Sequence, residues 1–433
     1  MVDVVVGRGV EVEAFDADAD LMDRIDVAFR GEGSGVAELT WGQQSMLLTM
    51  DRERSWLPMG GHQPVAPGTT VADLVDELRY SLERYQSFRT RLRHDDRPLQ
   101  EVHADGILVV EVYESADPSG FAAEVEHAYR TAEPDLAADW PLRAAIVCRD
   151  GRPERLVVIM PHLVTDAIGA GVMVAEAGAR VATPVTGPQP LELAAWQRSP
   201  SGERQSAAAV RHWERHLPSV AVLSPVLTPR PQQYPKARFT SRSMAAALPV
   251  VAARTGVDPA TILSTAFMMA VGQVTATDQV AVRHLVGNRF RSGLAEVVTP
   301  LAQLGLCVAD VASPLQEALG RVARASLAAH KHAYYDPLRL AELIARTGTD
   351  VTRTVCYNDR RVQRAPAPDT TTADGVFEWV GASTGPTEPL FLHIDDEPGA
   401  LVLTVDVDTA FLSLTDAETV ARTMESIVVA GRG

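Results

Sequence analysis

A chain of 433 residues with 46% apolar and 22% charged residues has an ordinary globular composition and enough length for two cores of domain size. Its 40 basic against 56 acidic residues leave a net charge of −16, which argues against a nucleic-acid surface as its main partner. No apolar run approaches the ~20 residues that span a bilayer, and the N-terminus lacks the basic and apolar regions of a secretory signal.

A strand-like run, Val2 to Val6, comes first, before an acidic stretch. In LTWGQQSML, Thr40 followed by Gln43 is a capping box that starts a helix near Trp41. TTVADLVDELRYSLERY has Thr70 as cap and apolar residues at Val71, Leu74, Val75, Leu78 and Leu82, which predicts a helix with one buried stripe. FRTRLR, from Phe88, alternates as a half-buried strand does, and ILVVEVY (107–113) is a further strand. Asp117-Pro118 opens a helix through Arg130. LRAAIVC and LVVIM flank Asp150-Gly151, a strong hairpin signal. The second of these strands leads through PHLVTDA (161–167) into an apolar, small-residue helix from Ile168 to Val181.

From about Thr183 to Pro235 prolines recur around one helical piece, SAAAVRHWERHL. That composition predicts a crossing segment rather than a core element. Beyond it, SMAAALPVVAARTG is a helix ending at Gly256, and Asp258-Pro259 caps the next, through Val274. QVAVRHLVG, TRTVCYN, FLHI and LVLTVDV are strands. Ser313-Pro314 with Gln316, Asp336-Pro337, and Thr415 with Glu418 cap three more helices, the first ending near Lys331 and the last near Val429. The expected organisation is an N-terminal α/β lobe (1–183), a proline-rich crossing (184–236) and a C-terminal α/β lobe (237–433).

The chemistry concentrates at PHLVTDA, where His162 and Asp166 stand at a strand-to-helix turn beside the unpaired N–H groups of a helix start. Histidine as a residue type titrates near neutral pH and suits proton transfer, whereas an acid beside a helix start is an ordinary cap. Arginines 79, 84, 89, 91 and 93 present either a docking face for an acidic partner or a solvated face with Arg89 as an internal partner. Gly169, Gly171 and Gly178 miss the phosphate-binding spacings, so close helix packing is their expected role. His330 and His332, near a helix end, are expected to be exposed. Cys148, Cys307 and Cys356 lie in no metal or redox spacing, so neither a metal nor a disulfide is expected and a reducing cytoplasm is. Cys356 could serve as a nucleophile, but a free cysteine in an apolar segment is ordinarily a small core residue. No GxSxG motif is present.

Laid out in this order, the chain resembles the condensation domains of nonribosomal peptide synthetases, within the wider chloramphenicol acetyltransferase-like acyltransferases. DLAADWPLRAAIVCRDGRPERLVVIMPHLVTDA resembles the family's acid-Leu…Pro-Leu-Arg segment, hairpin and HHxxxDG motif in their proper order. LTWGQQSML is similar to the opening LTxxQ motif, and RYQSFRTRL to RHExLRTRF, with Arg84, Arg89 and Thr90 at matching places. LELAAW, HWERHLPSV and TPRP resemble the segment after the first lobe, and VRHLVGNR, CYND and the final strand and helix match the second lobe more loosely. The motif is degenerate: Pro161 replaces the family's first histidine and Ala167 its glycine. LGLCVADV keeps Gly305 of a G-x-F-V-N-T segment without its Asn-Thr pair.

The resemblance implies an α/β fold of two chloramphenicol acetyltransferase-like lobes in a V-shaped pseudo-dimer with a central tunnel, which Gly169 and Asn358 would line. It implies a free-standing acyltransferase of secondary-metabolite biosynthesis that joins a carrier-protein or CoA thioester to an amine or alcohol. No bound cofactor is expected, because the phosphopantetheine or CoA arrives with the donor. His162 would be the catalytic residue, with Asp166 paired to Arg89 as structural support and helix N–H groups near Ile168 facing the oxyanion. Two other readings stay open: a catalytically silent module that recruits a tailoring enzyme or carrier protein, and a cyclisation or elimination in the same tunnel.

Overall fold

A computed structural model describes residues 21–225, 232–361, 375–383 and 385–433, so the expected strand Val2–Val6 and the TPRP segment (228–231) lie outside the described residues. In chain order come β1 (Leu21–Arg30), β2 (Gly35–Glu38), α1 (Trp41–Glu53), β3 (Pro58–Pro64), α2 (Val71–Arg84), β4 (Thr90–His94) and β5 (Pro98–Val102). β6 (Asp105–Glu114), α3 (Pro118–Thr131), β7 (Arg143–Arg149), β8 (Arg152–Pro161), α4 (Ala167–Ala179), α5 (Pro190–Gln197) and α6 (Pro200–His216) follow. Then come β9 (Pro235–Ser241), α7 (Arg242–Thr255), α8 (Pro259–Thr275), β10 (Gln279–Val286), β11 (Gln303–Asp310), α9 (Leu315–Lys331) and α10 (Pro337–Thr347). β12 (Val355–Asp359), β13 (Val376–Ala382), β14 (Leu390–Glu397), β15 (Ala400–Val407) and α11 (Leu414–Ala430) complete the order. No single described helix is long and apolar enough to cross a membrane.

Most helix starts are where the caps predict. The Thr40 side chain accepts the Gln43 N–H (3.2 Å) while the Gln43 side chain accepts that of Thr40 (2.9 Å), and Asp117, Asp258 and Asp336 each cap ahead of a proline. Two caps differ. Ser313 accepts from Arg321, so α9 starts after Pro314 with no side-chain cap. α11 starts from a Ser413–Asp416 box, two residues before the expected Thr415–Glu418. The crossing is also more ordered than its prolines suggest, because Pro190 and Pro200 are the first residues of α5 and α6.

The chain forms two compact units that are not contiguous in sequence. One holds the residues up to Leu39 with Trp56–Ala194 and Glu296–Pro300; the other holds Thr40–Ser55, Ala195–Ala295 and Leu301–Gly433. This differs from lobes simply divided at a crossing. α1 joins the second unit because the Trp41 N–H donates to Gln197 (2.9 Å) and the Trp41 ring packs on Tyr334 at 4.9 Å.

In the first unit a five-stranded sheet runs β1-β6-β7-β8-β3, beside a three-stranded sheet β2-β5-β4. β6 and β7 are parallel, joined over α3, and Asp150 and Gly151 take positive φ (50° and 70°) to turn β7 into β8. β8 alternates: Leu156 and Met160 join the core with α2, while Val157 and Ile159 join the core with α3.

In the second unit seven strands run β11-β10-β12-β14-β15-β9-β13. Cys307 and Ala309 of β11 pack with α7, α8 and α11, and Leu306 packs with Trp213 of α6 and Leu340 of α10. Gly305 is retained on β11 because a Cβ there would stand 2.5 Å from the Ala329 carbonyl oxygen of α9. Of the two histidines expected to be exposed, only His330 is. His332 is half-buried and stacks on His212 at 4.9 Å, and burial first, then His212, pushes it down to about 4. His284 on β10 is buried with its Nδ1 3.4 Å from His330 Nε2, and burial pushes it down to about 3.

Those depressed values make stability depend on pH. The unfolded chain takes up protons as pH falls through about 6.5 while the folded chain resists. Urea midpoints should therefore be constant above about pH 6.5 and fall steadily toward pH 4, less steeply in His332→Gln. A flat profile across that window would contradict the assignment.

Candidate active site

β8 ends where Pro161 pairs with Pro58 of β3, at the last step of the ladder. The Val164 N–H then donates to the Pro161 carbonyl (3.0 Å), closing a tight turn whose two central residues are His162 and Leu163. The His162 N–H donates to the Leu57 carbonyl (3.1 Å), so the backbone beneath the histidine is tied to the neighbouring strand. Leu163 and Val164 are buried, which leaves His162, half-buried, as the turn's outward side chain. Its Nδ1 is shut away from solvent with no hydrogen-bond partner among the described residues, and its Nε2 remains accessible. A buried polar atom without a partner calls for an explanation, and a site poised to receive a ligand is one.

The turn runs into α4 through two fixed side chains. The Thr165 hydroxyl donates to the Val298 carbonyl (2.7 Å), and the Asp166 carboxylate accepts the Gly169 N–H (3.0 Å) as the N-cap. The Asp166 carbonyl accepts the Ala170 N–H (2.8 Å). Gly169 is buried with its N–H thus engaged, so it is no oxyanion donor. The N–H groups of Ala167 and Ile168, both exposed residues, have no partner among the described residues and are the ones open to a developing anion.

Comparison with known proteins decides the family. The Condensation domain profile matches residues 65–354, well over half the chain. The chain belongs to the condensation-domain family. No curated protein sequence matches it. Its structure is similar to the condensation domain of chain release from the enacyloxin polyketide synthase (TM-score 0.70, 17% identity, 93% of this chain and 83% of that one). It is likewise similar to SgcC5 of Streptomyces globisporus (0.67, 17%, 91% and 98%) and to the X-domain of teicoplanin biosynthesis in complex with OxyB (0.69, 18%, 95% and 96%). The condensation-domain protein therefore has the two-lobe, chloramphenicol acetyltransferase-like α/β fold.

One expected contact of this condensation-domain protein is replaced. Arg89 does not pair with Asp166. Its guanidinium, fully buried, donates to the carbonyls of Gly33 (3.1 Å), Glu32 (2.6 Å) and His103, and burial without an acid at hand lowers its pKa. The reason is positional: Asp166 is engaged at the start of α4, while the turn at Gln86–Arg89 aims Arg89 beneath residues 31–33.

The other arginines are also engaged. Arg84 pairs with Glu176 (2.7 Å) and the Thr183 carbonyl (2.7 Å), Arg79 with Asp76, Arg93 with Asp95 (3.2 Å), and Arg91 stacks 3.8 Å over Trp140. They form ion pairs and stacks rather than an open docking face. A Cβ on Gly171 or Gly178 would meet nothing within 4 Å, so close packing does not explain those glycines. Asn358 is half-buried on β12, with its Nδ2 3.2 Å from His393 Nδ1. Cys356 is fully buried and burial raises its thiol pKa, which removes it as a nucleophile.

What sequence reasoning missed is the inner stripe of α4, Ala170, Met173, Val174 and Ala177, which lines a cavity. Its i, i+3, i+4, i+7 spacing was the available signal.

Arg89→Ala should cost about 3 kcal/mol or more in urea denaturation, because a fully buried side chain is removed together with its three hydrogen bonds. Gly31→Ala should destabilise too, since its Cβ would stand 2.3 Å from the Glu83 carbonyl oxygen and 2.6 Å from the Arg89 guanidinium carbon. Near-neutral values for both would remove Arg89 as the keystone of this loop.

Proposed function

We propose that this protein transfers an acyl group from a thioester, on a carrier protein's phosphopantetheine or on CoA, to an amine or alcohol. The observation that carries this reading is His162, held at a strand-to-helix turn with its Nδ1 unpartnered and its Nε2 accessible. The acceptor's lone pair attacks the thioester carbonyl, forming a C–N or C–O bond. Collapse of the tetrahedral oxyanion breaks the C–S bond, and the thiolate leaves with the acceptor's proton as a thiol. His162 Nε2 takes or steadies that proton, and the Ala167 and Ile168 N–H groups donate to the oxyanion. Asp166 holds the helix start and does not act on substrate. The structural neighbours from antibiotic biosynthesis support a place in such a pathway, and the donor brings the only cofactor required.

A second reading rests on the motif's departures, Pro161 and Ala167, and on Arg89 having left Asp166. In it the protein is a silent module that recruits a tailoring enzyme or a carrier protein, and the teicoplanin X-domain, seen in complex with OxyB, supports it. A cyclisation or elimination on a tethered substrate is the remaining alternative.

Intact-protein mass spectrometry on carrier-bound and CoA thioesters, offered with a panel of amines and alcohols, separates the three. Acyl transfer gives products that contain the acceptor, and His162→Ala should slow their formation roughly a hundred- to ten-thousand-fold. Unchanged turnover in that variant would sink the mechanism. Product mass without the acceptor favours cyclisation or elimination. No transfer, together with stable capture of a pathway enzyme or carrier, favours the silent module.

A further inference from the structure

The first unit holds a cavity of about 390 Å³ between α2, α4, β3 and β8. Protein interiors seldom leave voids larger than a water molecule, and this volume falls among small-molecule pockets, roughly 300–1,000 Å³. Its walls include Leu78, Phe88, Leu142, Leu156, Met160 and Met173. On α4 the inner stripe carries alanine at 170 and 177, where larger apolar side chains would close the space. The two hydroxyls in the wall are already committed: Ser81 donates to the Glu77 carbonyl (3.1 Å) and Thr165 to that of Val298 (2.7 Å). The remaining polar side chains of the lining are His62, whose Nδ1 lies 2.8 Å from Glu126, and Gln63 and Glu77, and the rest of the wall is apolar or glycine.

The cavity opens beside exposed Gly60 and Gln63 of β3 and Val174, which is 61% exposed. Glu77 stands half-buried in the same wall, and its charge disfavours a free carboxylate at the mouth. Met59, Met160 and Met173 give it unbranched, adaptable walls suited to a flexible chain. Met160 and Thr165 flank the turn that carries His162.

We infer that this cavity binds an unbranched aliphatic acyl chain whose head is a neutral thioester or amide rather than a free acid. The identity of that head group rests on the acyl-transfer reading; the apolar site itself does not.

Calorimetric titration of the full chain with non-hydrolysable amide analogues of acetyl, hexanoyl and decanoyl thioesters tests this directly. Affinity should rise roughly two- to fourfold per methylene until the space is filled. The double variant Ala170→Leu/Ala177→Leu should lose tenfold or more for the decanoyl analogue, with acetyl unaffected and melting temperature kept or raised. Gly171→Ala, whose Cβ meets nothing within 4 Å, should bind as the parent does. Affinity independent of chain length, in the parent or unchanged in a folded double variant, overturns the inference. Should the double variant fail to fold, the parent's chain-length series and Ala170→Leu alone still decide it. Free decanoate binding more tightly than its neutral analogue overturns the head-group assignment. Chain-length-dependent binding with no turnover tells against acyl transfer and leaves the cavity standing; turnover with no such binding does the reverse.

Discussion

The bond from the Gly169 N–H to the Asp166 carboxylate is the constraint on which the candidate site depends. It fixes the first turn of α4, and through that turn it decides which backbone donors are engaged and which stay open. The chain between β8 and α4 has only five residues after Pro161 in which to turn. With Val164 tied to Pro161 and Thr165 tied to Val298, His162 has little freedom left in its backbone. A side chain held this way gives up conformational entropy when the protein folds rather than when a ligand binds.

Arg89 shows how a buried charge can be stabilised without an opposite charge. Three carbonyl oxygens surround its guanidinium, and Gly31 leaves room for it by having no Cβ. A fork of donors suits such a cage better than an ammonium would, because each N–H can address a different carbonyl. The arrangement joins the loop at residues 31–33 to the strands β4 and β5. Arg89 is therefore a device for holding the first unit's small sheet, not the partner of Asp166 first expected.

The fold was legible wherever a local signal had one physical meaning. Thr40 with Gln43, Asp150 with Gly151, and Asp258 with Pro259 each fix a backbone conformation by themselves, and each stands in the structure where the sequence places it. Prolines 190 and 200 misled because a proline begins a helix as readily as it interrupts one. β3, with PMGGHQP, carries strand-breaking residues yet pairs along β8 as the sheet's edge, where missing donors are tolerated. The place of His162 at a strand-to-helix turn was legible through its motif. The partner of Arg89 was not, because a side chain's partner depends on where two remote segments meet. The cavity's α4 wall, Ala170, Met173, Val174 and Ala177, is a helical apolar stripe, which has the same pattern as close packing until the opposite wall is known.

The motif's two departures acquire a plainer meaning in this geometry. Pro161 takes the last position of the β8–β3 ladder, and the turn after it uses only its carbonyl, which accepts the Val164 N–H and which proline retains. Ala167 is the first residue of α4, exposed and helical, a conformation that alanine favours over glycine. Neither replacement removes an atom that the turn, the cap or the open N–H groups use. Each makes its element stiffer: one by fixing φ just before His162, the other by steadying the helix end that supplies the donors. The degenerate motif is thus compatible with acyl transfer on structural grounds, and in the proposed mechanism the weight of that chemistry falls on the imidazole of His162.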